Sequence, residues 1–167
     1  MKIHTVILAA GEGSRMHSKK AKSLQPVGGQ SMLKRIHNTV SSLTEETSFV
    51  VGYEKDSVIT EVKKFPGINH ICEQKKPIGT ADAVKSALDS INVDSKVLVL
   101  YGDVPLIKRQ TLNNLISMTD DSLTIMSTEL KNPTGYGRVK KNENGAAISI
   151  IEEKDASEDE KKVKEIF

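Results

Sequence analysis

The chain has no tryptophan, one cysteine and only 4% aromatic residues among 167, so its core must be aliphatic. Cys72 has no cysteine to pair with, which excludes an internal disulfide. With no Cys or His pair near it in an apolar-looking segment, it reads as a buried structural thiol. No stretch approaches the ~20 apolar residues of a membrane span. The apolar run Val6 to Ala10 is too short for a signal-peptide core, and a Gly-rich stretch follows it at once. A cytoplasmic protein with no membrane partner is therefore expected. Excess charge is missing too: the formal net charge is +2, and the basic residues are scattered apart from Lys19, Lys20 and Lys22, which argues against nucleic acid. His4, His17, His37 and His70 are too dispersed for a zinc site.

What is present is ordinary for a globular domain: 37% hydrophobic and 28% charged residues, at a length that suits one core. Apolar, β-branched runs recur at Ile3 to Leu8, Ser48 to Val51, Ile68 to Cys72, Lys96 to Leu100 and Leu123 to Ser127, and each predicts a strand. Between the first four lie helical spacings: Met32, Leu33, Ile36, Val40 and Leu43; Val58, Ile59 and Val62; then Ala83, Val84, Ala87, Leu88 and Ile91. Strands alternating with helices predict a doubly wound, mostly parallel α/β sheet of Rossmann-like layering. Beyond Thr128 the pattern changes. Arg138 to Lys141 and Ala147 to Ile151 flank an Asn144-Gly145 turn and predict a β-hairpin, and the polar stretch Asp155 to Glu165 predicts a solvated helix or a frayed tail.

Candidate site residues gather where strands end. The first strand runs into Leu8-Ala9-Ala10-Gly11-Glu12-Gly13-Ser14-Arg15-Met16, at the edge where open α/β sheets bind ligands. Gly11 and Gly13 let backbone N–H groups approach phosphate oxygens, and Arg15 can pair with them bidentately. Neither the dinucleotide fingerprint, whose third Gly is Met16 here, nor a G-x-x-x-x-G-K-[ST] loop is present. Lys22 is either a second phosphate-neutralising cation or a solvated surface lysine. Asp103, after the strand Val97 to Leu100, is either a magnesium ligand or the cap of a helix starting near Ile107 to Gln110. Gln74 with Gly79-Thr80 reads a flat base by its edge, or else Thr80 caps a helix. Gly135-Tyr136-Gly137-Arg138 and Glu152 suit a hydroxyl-rich sugar; alternatively, Tyr136 packs and Glu152 is merely solvated.

Taken in order, Leu8-Ala9-Ala10-Gly11-x-Gly13-x-Arg15-Met16, Lys22, Gln74 with Gly79-Thr80, Tyr101-Gly102-Asp103-Val104-Pro105-Leu106, Pro133-Thr134-Gly135-Tyr136-Gly137-Arg138 and Glu152-x-Lys154-Asp155 resemble the uridylyltransferase half of the bifunctional N-acetylglucosamine-1-phosphate uridylyltransferase / glucosamine-1-phosphate acetyltransferase family. The resemblance implies a nucleotide-diphospho-sugar transferase fold. It implies that UTP and N-acetylglucosamine 1-phosphate give pyrophosphate and UDP-N-acetylglucosamine, a peptidoglycan precursor, with Mg²⁺ as cofactor. On that reading Leu8, Ala9, Ala10, Gly11, Gln74, Gly79 and Thr80 hold the uridine, and Tyr101 and Gly102 join the substrate contacts. Arg15 and Lys22 serve the phosphates as catalytic residues, Asp103 the metal, and Gly137 and Glu152 the acetylated sugar.

The chain departs from the family pattern at Ser14 (usually Thr), Ala21 (usually Pro), Pro77 (usually Gln) and Asp82 (usually His). A sugar-nucleotide-binding Asn would fall at Phe167, and a later Asn that completes the metal site lies past the end of the sequence, as does the β-helix acetyltransferase domain that builds the family's trimer. A partial nucleotidylyltransferase domain over residues 1–167 is expected, with no oligomeric state implied. Two other readings stand beside it: a non-catalytic uridine-nucleotide-binding module, and a related enzyme for another base or sugar. A molybdopterin guanylyltransferase is one such enzyme, but its loop typically has Gly where this chain has Ala10.

Overall fold

The computed structural model describes every residue except Met1, Ser14, Arg15, His17, Lys19, Pro77, Asp120, Asp121 and Ser122. The chain forms two compact units, Met1–Asn113 and Asn114–Phe167. In the first, Lys2–Leu8 (β1) leads to a small hairpin of Pro26–Val27 (β2) and Gln30–Ser31 (β3). Then come Met32–Val40 (α1), Glu46–Val51 (β4), Lys55–Val62 (α2), Ile68–Glu73 (β5), Thr80–Lys85 (α3) and Ser95–Tyr101 (β6). Arg109–Met118 (α4) carries the chain into the second unit.

The strands pair in parallel in the order β5-β4-β1-β6, so the first strand is central and the crossover through α3 spans the sheet. Residues of alternate parity face opposite sides. Phe49 packs tilted against His37 of α1 and against Phe65 just after α2, at centroid distances of 6.0 and 5.8 Å. Its neighbour Val50 turns the other way, into a cluster with Val6, Cys72 and the α3-side residues Ala83 and Ala87. Helices thus cover both faces, and the expected doubly wound α/β arrangement is what the first unit adopts. Cys72 is the buried structural thiol its segment predicted. Among the described residues, no helix is long and apolar enough to cross a membrane.

Local chemistry sets the element ends. Ser31 caps α1 by accepting from the Lys34 N–H at 3.1 Å. The turn between β2 and β3 needs left-handed backbone at two successive positions and has Gly28 and Gly29, with φ of 56° and 79°. The helical spacing read through Ile91 is realised only to Lys85, after which the chain tightens into a 3-10 turn at Leu88–Ser90. There the Ser90 hydroxyl bonds the Ala87 carbonyl at 2.6 Å, closing the turn early.

In the second unit, Thr128–Glu129 (β7), Arg138–Lys141 (β8), Ala147–Ile151 (β9) and Glu165–Ile166 (β10) form an antiparallel sheet ordered β7-β10-β8-β9. The predicted hairpin is present, with Gly145 at φ 79° in its turn. Two expectations need correction. Leu123 to Ser127 is not a strand: among the described residues its apolar run pairs with none, Leu123 is 91% exposed, and pairing begins only at Thr128 against Ile166. The stretch Asp155 to Glu165 is neither a longer helix nor a frayed tail. Ser157 and Glu160 form a reciprocal cap, with Ser157 N–H to Glu160 Oε2 at 3.0 Å and Glu160 N–H to Ser157 Oγ at 3.3 Å, around a single 3-10 turn. Ala156 and Ile166 are buried on either side of it.

Two buried histidines make stability depend on pH. His4 and His37 are 1% and 2% exposed, and burial holds both below the ordinary imidazole value of 6.5. The Glu46 charge partly offsets this for His4, and a hydrogen bond with the Pro66 backbone does so for His37. Neutral His4 bonds Ser48 Oγ at 2.7 Å inside the core. The unfolded chain therefore binds protons more readily, and the stabilisation is complete above pH 6.5 and falls as pH drops below it, toward the depressed folded values. Urea midpoints should fall from pH 7.5 to pH 5.5; a midpoint that holds level or rises over that range would contradict the assignment.

Candidate nucleotide-binding site

Three parallel strands stop at the same edge, and one further backbone bond extends each of them. Ala9 N–H donates to Val50 C=O at 2.8 Å, Gly102 N–H to Leu8 C=O at 2.8 Å, and Gln74 N–H to Val51 C=O at 2.9 Å. The segments beyond these bonds wall a cavity of about 300 Å³ lined by Leu8, Ala9, Ala10, Gly11, Lys22, Ser23, Gln74, Gly79, Thr80, Ala83, Tyr101, Gly102 and Asp103. Nearly the whole predicted nucleotide set thus shares one cavity. The exception is Arg15, which lies outside the described residues. Gly137 and Glu152 belong to the second unit, where they are neighbours: a Cβ on Gly137 would sit 3.8 Å from Glu152 Oε2.

Geometry bears on some of the structural alternatives left open by the sequence. Helix α4 starts at Arg109, six positions after Asp103, and the Asp103 carboxylate pairs instead with the Lys22 ammonium. Asp103 is not a helix cap, and Lys22 is not a solvated lysine without a partner. Thr80 is the first residue of α3 and Gly79 its cap, so Thr80 does not cap either. Tyr136 is 49% exposed, which does not fit a packing role. Glu152 is exposed, while its neighbour Glu153 pairs with the buried Arg138 at 2.6 Å, which holds the Glu153 carboxyl below its usual range.

Two glycines are there because the walls touch. A Cβ on Gly13, at φ 68°, would lie 2.7 Å from Lys22 Cβ, so this glycine lets the lysine stem lie against the loop. A Cβ on Gly102 would lie 2.8 Å from the Leu8 carbonyl and 3.3 Å from Ser23 Cβ. Sequence reasoning passed over Ser23, whose only signal is its place directly after Lys22. It is 4% exposed, and its hydroxyl has no partner among the described residues.

The Lys22–Asp103 pair sets the electrostatics. The two side chains are 38% and 31% exposed, and ion pairs this wet are worth about 0 to 1 kcal/mol. Exchanging partners therefore costs little. An anion entering the cavity can take Lys22, and the carboxylate it releases is a hard oxygen donor for a cation. Among the described residues, no group of three or more His, Cys, Asp or Glu could hold a metal by itself. A cation at Asp103 would need its remaining oxygens from a ligand and water.

A strand-end cavity with small residues, one lysine and one carboxylate suits a phosphate-bearing ligand, and the comparisons give the chain's family. The chain belongs to the MobA-like NTP transferase domain family, whose pattern matches residues 5–141. It is 40% identical over 168 residues to the bifunctional protein GlmU of Methylococcus capsulatus and 42% identical over 169 residues to that of Francisella philomiragia. Each match covers 99% of this chain and 36% of the relative, so the chain spans about a third of the length of these curated relatives. The resemblance drawn from the motifs is borne out by them. Among solved structures, HddC from Yersinia pseudotuberculosis aligns with a TM-score of 0.70 at 22% identity, over 89% of this chain and 68% of that one. A nucleotidyl transferase from Methanothermobacter thermautotroptrophicus aligns at 0.62 and 22%, over 81% and 68%. Both show the shared fold.

Gly102→Ala should push the Leu8 and Tyr101 segments apart, with a loss of about 1–3 kcal/mol typical of overpacking. Urea unfolding checks this, and an unchanged midpoint would show that the two walls are not in contact.

Proposed function

We propose that this domain transfers UMP from UTP to N-acetylglucosamine 1-phosphate, releasing pyrophosphate and forming UDP-N-acetylglucosamine. The observation that carries the reading is the single cavity at the β1, β5 and β6 ends, which gathers the predicted uridine residues with Lys22 and Asp103. The match to relatives named bifunctional protein GlmU supports the choice of substrates over those of other members of the wider family.

In this reaction a sugar-phosphate oxygen attacks the α-phosphorus of UTP. The bond from that phosphorus to the bridging oxygen breaks, and pyrophosphate leaves with the electron pair. No covalent link to the protein is needed, so the chain's own contribution is positioning and charge. The backbone N–H groups of Gly11 and Gly79 make no backbone bond among the described residues and would donate to ligand oxygens. Lys22 leaves Asp103 for the phosphates and meets the charge that grows on the departing pyrophosphate. The donor set fits magnesium: Asp103 would hold it, alongside phosphate oxygens and water. When bound, the ion supplies charge neutralisation on the transferring phosphates. Arg15 would add a second cation. The family resemblance, rather than the geometry, would assign Gly137 and Glu152 to the acetylated sugar.

Calorimetry tests the assignment. UTP should bind more tightly with Mg²⁺ than without it, and UDP-N-acetylglucosamine should displace it. Asp103→Asn should weaken Mg²⁺-dependent binding by about tenfold to a hundredfold, the worth of one charged contact. Undiminished binding in the variant, with the Mg²⁺ enhancement intact, would remove Asp103 from the metal.

A further inference from the structure

We infer that Asp82 is a positioning residue that sets pyrimidine choice at this site by fixing which face of the Gln74 amide meets the base. The inference rests on the nucleotide reading above and adds a residue that does not line the cavity.

Gln74 is 8% exposed, and its Nε2 donates to the Gly79 carbonyl at 3.1 Å and to Asp82 Oδ2 at 3.0 Å. Both partners are acceptors. An amide NH₂ has two donor hydrogens and an amide oxygen has none, so only one orientation of the Gln74 side chain satisfies the pair. The opposite orientation would set Oε1 against a carbonyl and a carboxylate, in a half-buried place where that repulsion is little screened. With both Nε2 hydrogens taken, Gln74 has only Oε1 to offer a ligand, and Oε1 has no partner among the described residues.

An outward-facing carbonyl selects on base chemistry. Uracil carries an N–H at ring position 3, which Oε1 can accept. Cytosine has a lone pair there, and two acceptors repel. With the rest of the nucleotide anchored along Leu8 to Gly11, the base cannot slide to offer its amino group instead. The turn that brings Gly79 C=O back to Gln74 needs φ 133° at Gly79, and Asp82 follows on the first turn of α3, so the clamp is built from one short segment. Remove the carboxylate and one hydrogen bond holding the amide is gone. Only the Gly79 carbonyl then opposes the turned orientation, so the side chain presents NH₂, which suits cytosine, more readily.

The test is the ratio of Kd for CTP to Kd for UTP, by calorimetry in Mg²⁺. Wild type should favour UTP by about tenfold or more. In Asp82→Ala the ratio should fall toward one, through weaker UTP and stronger CTP binding, whereas Asp82→Asn, whose Oδ1 still accepts from Gln74, should restore it. A purely structural role would weaken both nucleotides together and leave the ratio alone, and that result overturns the inference while the nucleotide reading stands. A wild-type chain that binds neither nucleotide overturns both. A measurement on wild type needs no variant to fold: the Gln74 Nε2 protons should stay protected from solvent exchange with and without UTP. Loss of that protection when UTP binds would show that the amide turns to meet the base, against the inference.

Discussion

The site depends on backbone register at one edge of a parallel sheet. Leu8 lies opposite Val50 on one side and Tyr101 on the other, and Val51 lies opposite Glu73. Those pairings fix where Ala9, Gly102 and Gln74 leave the ladder, and each makes one last bond there. A slip of one residue would turn every side chain of the slipped strand to the other face. The alternation of Phe49 and Val50 between two packed layers makes such a slip costly, because burying one such side chain is worth about 1.5–3 kcal/mol. Core packing on two faces thus sets the geometry of a cavity at the edge.

Charge is distributed on that frame as a neutral pair. Lys22 and Asp103, 81 positions apart in sequence, hold each other across the cavity. Neither is buried deeply enough for the pair to be strong, so a ligand that brings both a phosphate and a cation can replace one wet ion pair with two better-matched contacts. The base end works differently. There the Gln74 amide donates to Gly79 and Asp82, and on the proposed reading its orientation is set before any ligand arrives.

Much of this was legible in the sequence, for identifiable reasons. Strands β1, β4, β5 and β6 announce themselves as apolar runs, and Asn144-Gly145 marks its hairpin, because burial and turn chemistry are local. Candidate site residues were legible because parallel strands bind at their carboxyl ends and because the motif blocks are specific. What failed was non-local. Leu123 to Ser127 has a strand's composition but pairs with none among the described residues, and Glu165–Ile166 became a strand by pairing with Thr128–Glu129 and Arg138. The Ser157 and Glu160 cap was visible as a Ser-x-x-Glu spacing and went unused. Ser23 carries no motif, and the Asp82 bond requires the turn at Gly79 before it can exist.

The central claim is that the strand-end cavity, and no other surface, takes the uridine nucleotide. Amide chemical-shift mapping tests it most directly: ¹⁵N-labelled protein titrated with UTP and Mg²⁺ should show its largest changes at Leu8 to Gly11, Lys22, Gln74, Gly79, Thr80 and Tyr101 to Asp103. Saturable shifts centred on other residues, with these unmoved, would contradict it.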